Sequence, residues 1–114
     1  MTLEEYNLEK LRNKVVIVTG SNCGIGFEAA KIFAIHGAKV VLACRDDERG
    51  KNAEGLIGNG SKYINLDLRS FKNINNFSKT IKSEFGSIDI LLNNAGVMFP
   101  PFTKLMKALN LHLQ

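Results

Sequence analysis

The stretch Val15-Val16-Ile17-Val18-Thr19-Gly20-Ser21-Asn22-Cys23-Gly24-Ile25-Gly26 decides how this sequence is read. Its first half is a continuous β-branched run, as in a strand buried on both faces of a parallel sheet. Beyond it Ile25, Ala29, Ile32, Phe33 and His36 recur at helical spacing. Strand, glycine-rich turn and helix, in that order, form the context in which a glycine motif binds a dinucleotide pyrophosphate. Gly20 lets the chain turn sharply off the strand. Gly24 and Gly26 let backbone approach phosphate and helix approach sheet. The first free N–H groups of the helix and its positive dipole end would then face the pyrophosphate. The spacing is G-x-x-x-G-x-G, not the commoner G-x-G-x-x-G. The plainer alternative is a tight strand-to-helix turn that binds nothing.

Working outward, the same alternation repeats. Lys14 to Thr19 reads as the first strand and Gly24 to His36 as the first helix, with Gly37 as its stop. Lys39 to Cys44 is the second strand. A charged helix from Asp46 to Ile57 ends at Gly58-Asn59-Gly60, and Lys62 to Leu68 is the third strand. Ser70 suits an N-cap for a helix carrying Phe71, Ile74, Phe77, Ile81 and Phe85, stopped by Gly86. Ile88 to Leu92 is the fourth strand and runs into Asn93-Asn94-Ala95-Gly96. After Pro100-Pro101, the residues Phe102, Leu105, Met106, Leu109 and Leu113 keep helical spacing. Before the first strand, Leu3, Tyr6, Leu8 and Leu11 fit either a short helix or an extended lead-in. The expected fold class is therefore α/β, a doubly wound parallel sheet of Rossmann type, incomplete, with about four strands. The expected organisation is a lead-in over 1–13, a dinucleotide-binding half over 14–101 and a helical tail over 102–114.

Composition sets outer limits. The chain has 114 residues, 45% hydrophobic and 23% charged, with a formal net charge of +4. That is one domain at most, of ordinary globular character. The basic residues are scattered rather than clustered, which argues against a nucleic-acid surface and suits an anionic cofactor. No apolar run reaches the length of a membrane span. The N-terminus does not read as a signal or transit peptide. Cys23 and Cys44 have no metal-ligand spacing and read as reduced thiols in small buried positions, so a cytoplasmic location is expected.

Thr19-Gly20-x-x-x-Gly24-Ile25-Gly26 and Asn93-Asn94-Ala95-Gly96 together resemble the short-chain dehydrogenase/reductase family. The resemblance covers nearly everything after Lys14. Phe27-Glu28, Ala43-Cys44-Arg45, Leu66-Asp67-Leu68 and Asn93 to Met98 look most similar to its retinol-dehydrogenase-like and WW-domain-oxidoreductase-like branches. The resemblance implies that Gly20, Ser21, Asn22, Gly24, Ile25 and Gly26 line the pyrophosphate and ribose. It implies that Asp67 holds the adenine amino group and that Leu68 contributes backbone beside it. Asn93 would brace the sheet, and Ala95 and Gly96 would pass close to the cofactor ribose.

Cofactor choice is argued from charge. A carboxylate at the end of the second strand favours the free 2′-hydroxyl of NAD, while an Arg accommodates a 2′-phosphate. Here the strand ends in neutral Cys44 and Arg45 follows, so NADP is expected, with NAD as second choice. Asp46 and Asp47 read as acids matched to the next helix's dipole rather than as ribose ligands.

The resemblance also implies hydride transfer between alcohol and carbonyl, with retinol-like lipids as substrates. In the family this uses a Tyr and a Lys four residues on, together with a Ser, in and after a fifth strand. Tyr6 and Lys10 match that spacing but precede the first strand, where no phenol reaches a nicotinamide. No catalytic residue is assigned. The chain is expected to stop short of that segment and to show weak or no turnover, with its fourth strand an apolar edge open to self-association. Leu105, Leu109 and Leu113 would then lack their usual packing partner. The alternative function is a non-catalytic nucleotide-binding or dimer-docking fragment.

Overall fold

The run Val15–Thr19 forms β1, and all five of its residues are buried. A computed structural model describes residues 8–20, 24–94 and 101–110. Within these, β1 is followed by α1 (Gly24–Ile35), β2 (Lys39–Cys44), α2 (Asp47–Ile57), β3 (Lys62–Asn65), α3 (Phe71–Phe85), β4 (Ile90–Asn93) and α4 (Pro101–Ala108). The four strands make one parallel sheet in the order β3-β2-β1-β4. The chain builds outward from β1 to β3 and then crosses back to β4. The strand order therefore reverses between β1 and β4, which is where a doubly wound sheet opens a crevice at its carboxyl end.

Alternate residues of each strand feed opposite faces, as the period of two requires. Val16, Val18, Val40 and Leu42 join Leu11, Ala30, Ala34, Ala38, Ala53 and Ile57 on the face covered by α1 and α2. Ile17, Val41 and Ala43 join Leu66, Leu68, Ile74, Phe77, Ile81, Leu105 and Leu109 on the face covered by α3 and α4. Each large side chain fully buried in these layers contributes about 1.5–3 kcal/mol of hydrophobic stabilisation before entropy is counted. Local chemistry sets the helix ends. Asp46 caps α2 by accepting from the Arg49 N–H, and Ser70 caps α3 by accepting from Asn73. At the end of α1, Gly37 takes φ +87°, and the Ala38 N–H reaches the Phe33 carbonyl at 3.1 Å, a Schellman closure. Pro101 opens α4, where a missing N–H costs nothing.

Two strand boundaries need correction, and the packing of α1 and α4 adds what spacing alone did not state. The buried residues of α1 are Gly26, Ala30 and Ala34, while Ile25 is 79% exposed. The seating is tight at Gly26, where a Cβ would meet the Gly20 carbonyl, while Phe27 and Phe33 pack half-buried against the same layer. β3 ends at Asn65, not Leu68. The Asp67 N–H donates to Asn73 Oδ1 and Asp67 Oδ1 accepts from the Arg69 N–H, so side chains replace the ladder and the chain turns. β4 begins at Ile90, not Ile88. Just before it Asp89 Oδ2 accepts the Val15 N–H at 2.8 Å, while the Asp89 N–H bonds the Val15 carbonyl at 2.9 Å. Leu105 and Leu109 find partners within the described residues. Both are buried in the layer containing Phe77 and Ile81, and the Ser78 hydroxyl donates to the Ala108 carbonyl at 2.5 Å. Leu113 and the residues before Leu8 lie outside the described residues.

Candidate dinucleotide site at the carboxyl end of the sheet

The carboxyl ends of β1 and β4 are tied together by one buried hydroxyl. Thr19 Oγ1 donates to Asn93 Oδ1 at 2.8 Å and accepts from the Asn94 N–H at 3.0 Å. Thr19 is 1% exposed, so this pairing satisfies polar groups that would otherwise be costly to bury. Directly after it, Gly20 leaves the strand at φ +64°, with its N–H donating to the Ala43 carbonyl at 2.9 Å.

Gly26 explains how α1 is seated. A Cβ there would stand 2.6 Å from Asn94 Nδ2 and closer still to the Gly20 carbonyl oxygen. Strand end, helix start and the turn after β4 therefore converge on one position that only glycine can fill. Gly24 differs. It has φ +62°, and a Cβ on it would meet nothing within 4 Å among the described residues, so its demand is conformational. The first turn of α1 carries no acidic residue. Its unpaired N–H groups and dipole end could thus receive an anion without a competing carboxylate.

The far end of the site lies beyond β2 and β3. Arg45 follows β2 and is exposed; among the described residues its guanidinium enters no ion pair. Three acids surround that region, and each has its own partner. Asp46 caps α2. Asp47 accepts from the Tyr63 hydroxyl and, at 3.1 Å, from Asn65 Nδ2. Asp67 receives Arg69 Nε at 3.0 Å and Nη2 at 3.1 Å. Hydrogen bonds from the Arg69 side chain and backbone hold the Asp67 carboxyl below its ordinary value, and the positive charge of Arg45 adds to this. The hydrogen bond from Tyr63, then that from Asn65, lowers Asp47 in the same way. Partial burial, then the bond to Asp47, pushes the Tyr63 hydroxyl up, so it stays a donor.

Of the residues anticipated for the site, Gly20, Gly24, Ile25, Gly26 and Asn93 gather at the β1–β4 crevice, while Arg45 and Asp67 sit together at the β2–β3 end. Leu68 is buried in the α3 layer, leaving only its backbone for any contact outside it. Ser21, Asn22, Ala95 and Gly96 lie outside the described residues. Sequence reasoning missed Thr19, Asn94, Tyr63 and Asn65. Thr19 stands inside the glycine motif, but the cross-strand bonds that make it matter appear only once β1 and β4 pair. Among the described residues no cluster of His, Cys, Asp or Glu could hold a metal, and no helix is long and apolar enough to cross a membrane.

The sequence profile of the short chain dehydrogenase family matches residues 14–111. The chain belongs to the short-chain dehydrogenase/reductase family. Within this oxidoreductase family its similarity lies toward the retinol-dehydrogenase-like branch. It is 42% identical over 109 residues to human retinol dehydrogenase 11, covering 91% of this chain and 34% of the relative. It is 42% identical over 105 residues to the WW domain-containing oxidoreductase of Danio rerio, covering 88% and 26%. A solved short chain dehydrogenase from Shigella flexneri 2a, complexed with NADP, superposes with a TM-score of 0.79 at 25% identity, over 89% of this chain and 54% of that one. The chain thus spans about a quarter to a third of the length of these curated relatives. The alternation of strand and helix and the parallel Rossmann-type sheet are those of its solved relatives.

Proposed function

We propose that this chain binds NADP(H) along the carboxyl edge of its sheet. It would serve as the nucleotide-binding part of an oxidoreductase that moves hydride between an alcohol and a carbonyl. The observation that carries the dinucleotide reading is the convergence of Gly20, Gly26 and Asn94 at the opening of α1, with a positive-φ glycine and no acid in the first turn. The diphosphate would rest on the N–H groups of that turn, with Ser21 and Asn22 beside it. Asp67 and the Leu68 backbone would meet the adenine. Ala95 and Gly96 would pass the ribose nearest the nicotinamide, and Asn93 would hold that turn through Thr19. The preference for NADP over NAD rests on Arg45, since the neighbouring acids are held by other partners. When bound, the nicotinamide supplies the hydride. The residues of this chain bind and orient; none is assigned to proton transfer. Retinoid-like lipids are the substrate class suggested by retinol dehydrogenase 11, and the cytoplasm is the proposed location.

Calorimetry of the 114-residue chain against NADPH and NADH tests this reading. Saturable binding with NADPH the tighter ligand supports it; no binding of either overturns it. Turnover of a carbonyl substrate by the chain alone would contradict the assignment of binding without catalysis. A second reading, a docking module, is favoured by β4. Its four residues are only half-buried, and among the described residues it pairs with β1 alone. Concentration-dependent sedimentation, abolished by an Ile90→Lys substitution, would support self-association through that strand; a monomer at every concentration would exclude it.

A further inference from the structure

Behind Arg45 lies a chain of hydrogen bonds whose direction is fixed from one end. The Asp67 backbone N–H donates to Asn73 Oδ1 at 2.7 Å, so the Asn73 amide must turn its Nδ2 the other way. That Nδ2 donates to Asn65 Oδ1 at 2.7 Å, which in turn forces Asn65 Nδ2 toward β2. There Asn65 Nδ2 reaches the Arg45 carbonyl at 2.9 Å and Asp47 Oδ1 at 3.1 Å. Tyr63 completes the arrangement, its hydroxyl donating to the same Asp47 oxygen. The ring can lie there only because residue 50 is glycine. A Cβ at Gly50 would collide with three atoms of the Tyr63 ring. The Glu54 carboxylate takes the Tyr63 N–H at 2.5 Å, fixing β3 against α2 from the other side.

We infer that Tyr63 and Asn65 determine cofactor specificity by holding the Asp47 carboxylate away from the position where Arg45 would meet a 2′-phosphate. The inference rests on the NADP(H) reading above. Asp47 is two residues from Arg45 and shares the Asn65 amide with its backbone, so once released it would compete for a ribose hydroxyl or repel a 2′-phosphate. Held by two donors, it does neither. The same amide anchors the Arg45 main chain, so one residue both withdraws the anion and positions the cation. Tyr63 and Asn65 are positioning residues: neither is required to touch the nucleotide.

The test uses the 114-residue chain with 2′,5′-ADP and 5′-AMP, two probes that differ only in the 2′-phosphate. Calorimetry at one fixed salt concentration gives the ratio of their affinities. Tyr63→Phe keeps the ring over Gly50 and removes the hydroxyl. Its ratio should fall about threefold to fivefold toward 5′-AMP, the range for one exposed charge changing position. Tyr63→Phe combined with Asp47→Asn should return the ratio to the starting value, because no carboxylate remains to be released. A merely structural role for Tyr63 would weaken both probes equally and leave the ratio unchanged, and that result overturns the inference. So does a double variant that stays at the Tyr63→Phe ratio. If the unmodified chain binds 2′,5′-ADP no better than 5′-AMP, the NADP reading itself fails and takes this inference with it. A normal preference that is insensitive to Tyr63→Phe sinks the inference alone.

Discussion

Replacing Gly26 with Ala puts a methyl group where three parts of the chain meet. Ordinary contact with a Cβ begins at 3.4 Å, and the new carbon would stand 3.1 Å from the Gly20 carbonyl carbon and 2.6 Å from Asn94 Nδ2. The amide of Asn94 could retreat by about 0.8 Å, being a side chain, but Gly20 is backbone at the end of a fully buried strand and cannot yield cheaply. Overpacking of this kind costs about 1–3 kcal/mol, and the backbone clash argues for the upper half of that range. Ala is otherwise the better helix former by about 1 kcal/mol, which offsets part of the loss. The net expectation is destabilisation by about 1–2 kcal/mol, read from urea unfolding followed by circular dichroism. Gly55→Ala is the control. It lies inside α2 with nothing within 4 Å of a new Cβ, so the same change should stabilise by about 0.5–1 kcal/mol. Opposite signs for the two substitutions are the prediction. Gly26→Ala at or above the stability of the unmodified chain would refute the close seating of α1.

Thr19→Val should cost about 1–3 kcal/mol in the same unfolding assay, since it strips the Asn94 N–H of its buried acceptor, whereas Thr19→Ser should cost less than half of that. Ser70→Ala removes the cap of α3 and should cost about 1 kcal/mol, with Ser70→Asp close to neutral. Because Arg69 lowers the Asp67 carboxyl in the folded state, its contribution to stability is complete above the ordinary value of 3.8 and fades as pH falls through the lowered one. An NMR titration should place the Asp67 midpoint below 3.8, and Arg69→Met should bring it back up; an unmoved midpoint would show that the ion pair does not persist in solution.

The sequence carried the alternation of strands and helices because each strand is a dense apolar run and each helix has its own stop. Gly37, Gly58 and Gly86 all take positive φ where the helices end. It carried the glycine turn because few other functions require three glycines between a buried strand and a helix. What it hid were contacts between distant segments. Leu66 and Leu68 alternate like strand residues, yet Asn73, in the next helix, takes the backbone N–H that would have continued the ladder. The spacing of Ile25, Ala29 and Ile32 does not say which face of α1 meets the sheet; Gly26, Ala30 and Ala34 are the residues that do. The packing of the tail is not legible locally because its partner, the Phe77 and Ile81 face of α3, lies more than twenty residues upstream. Tyr63 carried no local signal at all. Its role depends on parallel pairing that sets it beside Leu42 and on a glycine thirteen residues earlier that clears space for its ring.

The most direct test of the nucleotide site is an amide-resolved titration of the labelled chain with NADPH. Binding across the β1–α1 turn predicts that the largest amide shifts fall at Gly24, Ile25 and Gly26, with a second group at Arg45 that shrinks when NADH replaces NADPH. Saturation with no movement at the opening of α1, or shifts confined to α3 and α4, would contradict it.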